Sequence, residues 1–208
     1  MNKAITKKII ITVAVILALG IIAGGITLFV RSKNKLSDSE ASKVVEELLP
    51  EAEKVNEIIW GKGVDVAEGQ TGILETVSGP QYRLADKSAG YENTEDILKA
   101  VSRVYSSRYI EGDLKKILFE GDREDSSFML YQRYMDNDNG ELLVNITHTA
   151  FENIGENKID PKSVKVTGAK YNELYITAKQ KLFDGSEIEI SLTLIKQKDG
   201  WRFDGPTY

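Results

Sequence analysis

The stretch "EIEISLTLIKQ", residues 187–197, alternates apolar and polar side chains at almost every step. Because neighbouring side chains of a strand point to opposite faces, this alternation predicts a strand with one buried and one hydrated face. Its even positions supply the apolar face: Ile188, Ile190, Leu192 and Leu194. The fold therefore contains an antiparallel sheet that is covered on one side.

The segments around this strand predict further strands joined by short turns. "NELYITAKQKL" (172–182) precedes it across the turn "FDGS" (183–186), and "KDG" (198–200) leads into "WRFD" (201–204). Three earlier segments also have strand character, namely "PQYRLAD" (80–86), the pair "FMLYQRYM" and "ELLVNITH" (128–135 and 141–148) around the turn "DNDNG", and "SVKVTG" (163–168). This order predicts an antiparallel meander at the C-terminal end.

Helical patterns precede the strands. "LSDSEASKVVEELLPEAEKVNEIIW" (36–60) opens with the capping box Ser37-x-x-Glu40 and places apolar residues at three- and four-residue steps. Pro50 predicts a kink or break near Leu49, and Gly61 is expected to close the helix in the left-handed conformation. A second helix is predicted to begin at a Thr94 cap, and a shorter one over 112–121. Helices first and strands later define an α+β fold.

The N-terminus predicts a membrane anchor. Residues 9–30 carry no charge and exceed the roughly 20 residues that cross a bilayer as a helix. The basic residues before them leave a cleaved signal peptide as the alternative, but its apolar region is usually only about 7 to 15 residues long. The prediction is a cytoplasmic tail (1–8), a single-pass anchor in the lipid bilayer (9–30), a linker (31–36) and an extracytoplasmic α+β domain (37–208).

Charge and composition exclude several classes of partner and chemistry. Six of the 27 basic residues precede residue 36, so the outer domain has 21 basic and 32 acidic side chains, a net charge of −11. That charge argues against nucleic acid as a partner. The chain has no cysteine and a single histidine, which leaves no thiolate or multi-histidine metal site and predicts no cofactor. The excess of lysine over arginine is typical of an AT-rich bacterium.

Five residues are candidates for contacts with a partner or for lining a pocket: Trp60, Lys62, Tyr131, Tyr134 and His148. Trp60 precedes two glycines at the end of the first helix, where it either packs on the core or forms the lip of a binding site. Lys62 is interpreted as a charge at the helix C-terminus. His148 lies on the apolar side of its strand, and the tyrosines offer hydroxyls to a pocket. No catalytic or metal-binding residues are predicted, and "DNDNG" is interpreted as a hairpin turn.

The order of elements, ending in the strand "GWRFDGPTY", resembles the cystatin-like and nuclear transport factor two-like cone fold. In that fold a curved antiparallel sheet wraps a helix and leaves a pocket. The segment "YRLADKSAGYENTEDILKAVSRVYSSRYI" (82–110) also resembles the DL-endopeptidase inhibitor family of Gram-positive cell envelopes.

This resemblance implies a role in the bacterial cell envelope. Together with the predicted anchor and the absence of a catalytic constellation, it predicts a non-enzymatic protein that is anchored in the cytoplasmic membrane, with the N-terminus inside, and that binds an envelope protein or peptide outside. A cell-wall hydrolase is one such partner. Two alternatives remain open: a scaffold subunit of a secretion or conjugation machine, and a protein that binds a small ligand in its pocket.

Overall fold

The computed structural model describes residues 35–69, 80–121, 131–147 and 157–208. The predicted tail and anchor (1–30) and His148 lie outside these residues. Within the described ranges, none of the helices has both the length and the apolar character needed to cross a membrane.

The first helix, α1, spans Asp38–Ile59. The predicted capping box is confirmed, since the Ser37 side chain accepts a hydrogen bond from the Glu40 N–H and the Glu40 carboxylate accepts one from the Ser37 N–H at 2.8 Å. Pro50 lies inside the helix, which continues without interruption, so the chain does not break near Leu49, and the alternative of a kink there stays a prediction. Proline removes only one backbone donor, and the buried apolar face continues on both sides of it.

The structure corrects two details of the predicted helix ends. The left-handed glycine after α1 is Gly63, with a φ of 87°, and not Gly61. The second helix, α2, spans Thr94–Val104, but its N-cap is Asn93, whose side chain accepts from the Asp96 N–H. Thr94 instead donates through its N–H and its hydroxyl to the Asp136 carboxylate, at 2.8 and 2.7 Å.

A third helical segment follows α2. It consists of an α-helical turn over Ser107–Tyr109 and two π-helical turns over Ile110–Leu114 and Lys116–Glu120. The predicted short helix over 112–121 is therefore confirmed, in the wider π geometry. A 3-10 turn, Lys87–Ala89, lies between the first strand and α2.

The strands form two antiparallel sheets. The first contains β1 (Tyr82–Leu84), β2 (Tyr134–Asp136) and β3 (Leu142–Asn145) in the order β1-β3-β2. The second contains four strands in sequential order, namely β4 (Lys158–Lys170), β5 (Glu173–Lys181), β6 (Glu187–Gln197) and β7 (Gly200–Phe203). The α+β class and the C-terminal meander are confirmed. The described strands form two sheets that share no strand, and the single curved sheet of a cone-like fold stays a prediction.

The core lies between α1, α2 and the inner face of the four-stranded sheet. The Asp38 carboxylate accepts a hydrogen bond from the Val166 N–H at 2.8 Å, and Glu53 pairs with Lys158 at 2.9 Å, so α1 runs antiparallel to β4. Two register shifts interrupt β4, and such bulges bend a strand. On β6, Leu192 and Leu194 are buried as predicted, whereas Ile188 is 44 % exposed. The inner face is thus covered mainly toward the C-terminal end of β6.

Candidate functional site

Arg133 and Tyr134 hold the C-terminal end of α1. The buried guanidinium of Arg133 donates to the carbonyls of Ile59, at 3.1 Å, and Gly61. The Tyr134 hydroxyl donates to the Ile58 carbonyl at 2.8 Å and accepts from the Val64 N–H at 3.1 Å. The last carbonyls of a helix lack partners within the helix and carry partial negative charge. These side chains therefore form a C-terminal cap, which we call the Arg133–Tyr134 clamp.

Three of the candidate residues from the sequence, Tyr134, Trp60 and Lys62, lie in or beside the clamp. Tyr134 is fully buried, so its side chain offers no surface to a partner. Trp60 is half-buried, and its ring centroid lies 5.2 Å from that of Tyr208. Lys62 is exposed, and its backbone N–H donates to the Glu57 carboxylate at 3.3 Å. These residues lie together at the end of α1.

The structure describes one of the other two candidates. Tyr131 is half-buried, and it is close enough to Tyr82 to contribute, after burial, to the raised pKa of that phenol. His148 lies outside the described residues, so its predicted pocket contact stays a prediction. The described contacts therefore place Trp60, Lys62 and Tyr134 at the end of α1 and Tyr131 beside Tyr82.

A buried polar network joins the C-terminus to α1. The Tyr105 hydroxyl donates to the Asn56 side-chain oxygen and lies 2.9 Å from the Thr207 hydroxyl. The Asn56 amide donates to Thr207 at 3.0 Å, which closes the triangle. Burial raises the pKa of Tyr105, so its phenol stays protonated at physiological pH. Polar groups that are satisfied in this way fix the path of the last residues.

Ion pairs join the third helical segment to the start of β5 and to the residue after β7. Arg108 donates to the carboxylate of Asp204 and, at 2.7 Å, to that of Glu173. Ser106 also donates to Asp204, and Tyr175 donates to Glu173. The Tyr175 and Arg108 hydrogen bonds lower the pKa of Glu173, so it is ionised at neutral pH. The Tyr175 hydroxyl is thus a partner of a carboxylate that joins β5 to the third helical segment.

Tyr91, in the segment between the 3-10 turn and α2, lies at a concave surface of the described chain. The segment is anchored on both sides, since Asp86 accepts from the Ser88 N–H at 2.7 Å and the Glu92 carbonyl accepts from the Leu142 N–H at 2.8 Å. The Glu92 N–H also donates to Asp96 at 3.1 Å. Tyr91 is consequently presented from a fixed backbone.

Two clefts adjoin Tyr91, and they share Lys87, Tyr91 and Glu92. One, of about 540 Å³, lies toward the three-stranded sheet and is completed chiefly by Glu68, Leu84, Asp86, Asn93, Asn139 and Glu141. The other, of about 530 Å³, lies toward α1 and α2 and is completed chiefly by Glu51, Asp96, Lys99 and Arg103. We call the two clefts together the Tyr91 surface.

Both signs of charge occur on the Tyr91 surface. Lys99 pairs with Glu95 and Asp96, each at 3.5 Å, on the exposed side of α2. Burial, and then the nearby charge of Glu51, raise the pKa of the Tyr91 phenol, which therefore remains a neutral hydrogen-bond donor. An aromatic body with a polar tip, set among charged side chains, can contact both apolar and polar groups of a partner.

The sequence reasoning missed Tyr91. The available signal was its position between Gly90, which has a φ of 79°, and the Asn93 cap, because two adjacent chain reversals expose the residue between them. Within the described ranges, no group of histidine, aspartate or glutamate side chains is arranged to hold a metal ion. No protein-family model matches the chain, and a search of curated proteins finds no significant match.

Proposed function

We propose that this protein is a membrane-anchored, extracytoplasmic component of the bacterial cell envelope that binds a protein or peptide through the Tyr91 surface. The anchor is residues 9–30, and the binding domain, of cone-like fold, lies outside the cytoplasmic membrane. A cell-wall hydrolase is the first candidate partner, on the resemblance of residues 82–110 to hydrolase inhibitors.

The observation that carries the proposal is the lining of the two clefts. Sites for small molecules are usually enclosed and mainly apolar, with a few polar groups. The cleft toward α1 and α2 is instead open and lined by six charged side chains: Glu51, Lys87, Glu92, Asp96, Lys99 and Arg103. A polar surface of mixed charge, with a tyrosine at its centre, favours the polar surface of another polypeptide.

Crosslinking in intact host cells tests the proposal. The full-length protein carries an epitope tag, and the variant Tyr91→Ala is compared with Tyr171→Asn. Tyr171 is an exposed tyrosine at the β4–β5 turn that lines neither cleft, and asparagine tolerates its φ of 54°. We expect Tyr91→Ala to reduce the crosslinked partner about tenfold, as for a central aromatic contact, and Tyr171→Asn to leave it unchanged.

The identity of the crosslinked partner separates the two envelope roles. A single hydrolase supports a role in modulating cell-wall cleavage, and a complex with many membrane spans supports a scaffold role. Equal recovery of the partner with Tyr91→Ala and with the unaltered protein contradicts binding through the Tyr91 surface.

A further inference from the structure

Among the described strands, the N-terminal half of β6 is paired on one side only. β5 pairs with β6 from Glu187 to Ile195, whereas β7 pairs only with the last part of β6, from Leu194 to Gln197. No other described strand pairs with residues 187–193. The register with β5 is continuous, so neither a bulge nor a proline interrupts this edge.

Two hydrogen bonds show which backbone groups face this unpaired side. The Thr193 carbonyl accepts from the Asp204 N–H, beyond the end of β7, at 2.8 Å. The Lys196 N–H donates to the Asn172 carbonyl, at the start of β5, at 2.7 Å. The backbone N–H and C=O groups of successive residues in a strand point to opposite sides. Those of odd-numbered residues therefore point toward the β7 side, and those of even-numbered residues point toward β5.

The backbone N–H and C=O groups of Glu187, Glu189 and Ser191 therefore point away from β5. We call this row of six groups the β6 edge. All three residues are exposed, and the strand between them extends over roughly 15 Å, enough to pair with a five-residue strand. The unpaired N–H and C=O groups of such an edge can form hydrogen bonds with a strand from another chain.

The side chains of residues 187–191 determine which kind of strand would fit beside the β6 edge. Glu187 and Glu189 lie on the hydrated face, where Glu187 also pairs with Lys179 of β5 at 2.7 Å. Ile188, which is 44 % exposed, lies on the inner face. A strand beside them would place one set of side chains next to the glutamates and the other next to Ile188. Opposite charges and apolar pairs are the favourable combinations across neighbouring strands.

We propose that the β6 edge binds an extended segment of a partner protein by strand addition, and that this segment alternates basic and apolar residues. A second copy of this chain is a poor occupant. In the antiparallel register that overlaps the whole edge, Glu189 of each copy would lie directly opposite Glu189 of the other, and like charges in that position are destabilising. The site is separate from the Tyr91 surface and goes beyond the function proposed above.

Hydrogen exchange of the full-length protein in detergent tests this proposal. The probe is a capped heptapeptide that alternates lysine and valine, and the matched control alternates glutamate and valine. We expect the lysine peptide to slow exchange of the amides of residues 187, 189 and 191, and to bind at least tenfold more tightly than the glutamate peptide. Binding without slower exchange at these amides overturns the proposal.

The variants Ser191→Pro and Ser191→Ala separate strand addition from general attraction of a cationic peptide to an acidic protein. Proline removes an N–H that faces the edge and leaves the β5–β6 hydrogen bonds in place, whereas alanine keeps the N–H. We expect Ser191→Pro to weaken binding at least tenfold and Ser191→Ala to bind as the unaltered protein does. Equal binding by both variants contradicts strand addition.

Two further variants complete the test. Glu189→Gln changes no backbone group, and we expect it to weaken binding of the lysine peptide several-fold and to reduce its salt dependence. This variant decides the charge preference even where Ser191→Pro unfolds the protein. Tyr91→Ala is expected to leave peptide binding unchanged, so a failure at the β6 edge is distinguished from a failure of the proposed function.

Discussion

Trp60 shows how one residue can have two interpretations in a sequence and a definite environment in a structure. Its position before Gly61 and Gly63 suits either packing at a helix end or the lip of a binding site. The indole is half-buried beside the Tyr208 ring, next to the network formed by Asn56, Tyr105 and Thr207. These contacts support packing between α1 and the C-terminus, and direct contact with a partner stays a prediction.

We expect Trp60→Ala to lower the free energy of unfolding by about 2 kcal/mol. Complete truncation of a buried tryptophan costs more, but this ring is only half-buried and part of the loss is its contact with Tyr208. Thermal unfolding of the purified protein measures the change, which corresponds to a decrease in Tm of about 6 °C. Trp60→Phe, as the control, retains most of the stability. An unchanged Tm together with weaker recovery of the envelope partner would identify Trp60 as a binding contact.

At the scale of elements, the end of α1 depends on residues far away in the chain. Arg133 donates to Ile59 and Gly61, which lie more than 70 positions earlier. Gly63 makes this approach possible, because a Cβ at this position would lie 2.7 Å from the Arg133 guanidinium and 3.0 Å from the Tyr134 hydroxyl. The clamp thus joins α1 to the three-stranded sheet.

We expect Gly63→Ala to lower the free energy of unfolding by about 3 kcal/mol, because the added Cβ strains the backbone and displaces the Arg133 side chain. Gly140→Ala is the matched control, because Gly140 has a similar positive φ of 76° but no atom within 4 Å of an added Cβ. Backbone strain alone costs about 1 kcal/mol, and loss of hydrogen bonds to a charged group adds about 2 kcal/mol. Denaturant unfolding of both variants measures the difference. Equal losses would show that the clamp contributes nothing to stability.

At the scale of the whole molecule, the proposed orientation places residues 37–208 outside the cytoplasmic membrane. We expect protease added to intact protoplasts to remove this domain and to spare an N-terminal epitope tag, because a short basic tail before a first apolar segment usually stays in the cytoplasm. Immunoblotting of both ends measures the outcome, with lysed protoplasts as the control for complete digestion. Protection of the C-terminal domain in intact protoplasts would reverse the orientation.

Local patterns predicted many of the elements, and distant contacts decided their ends. The capping box of α1, the β2–β3 hairpin and the strands β5 and β6 follow from residues within a few positions of each other. For β4, the sequence predicted a strand over 163–168, whereas the strand spans Lys158–Lys170. Pro161 and the two register shifts conceal its true length, because a bulge disturbs the alternation on which the prediction rests.

Local sequence patterns did not predict the candidate site. Tyr91 has no periodic neighbours, and its clefts are formed by segments as distant as Glu51 and Glu141. The Arg133–Tyr134 clamp is equally invisible in the sequence, because its donors and acceptors come from different elements. A surface or a cap assembled from remote segments leaves no local signal in any one of them.

The amino-acid sequence by itself determined the α+β class, the C-terminal meander and the acidic charge of residues 37–208, because periodicity and composition are properties of neighbouring residues or of simple sums. Only the tertiary structure decided that the described strands divide into two sheets, that Gly63 rather than Gly61 turns the chain, and that Tyr91 lines two clefts. It also decided which backbone groups form the β6 edge. These features depend on which remote segments pack together, and that choice is made by burial and hydrogen bonding of the whole chain.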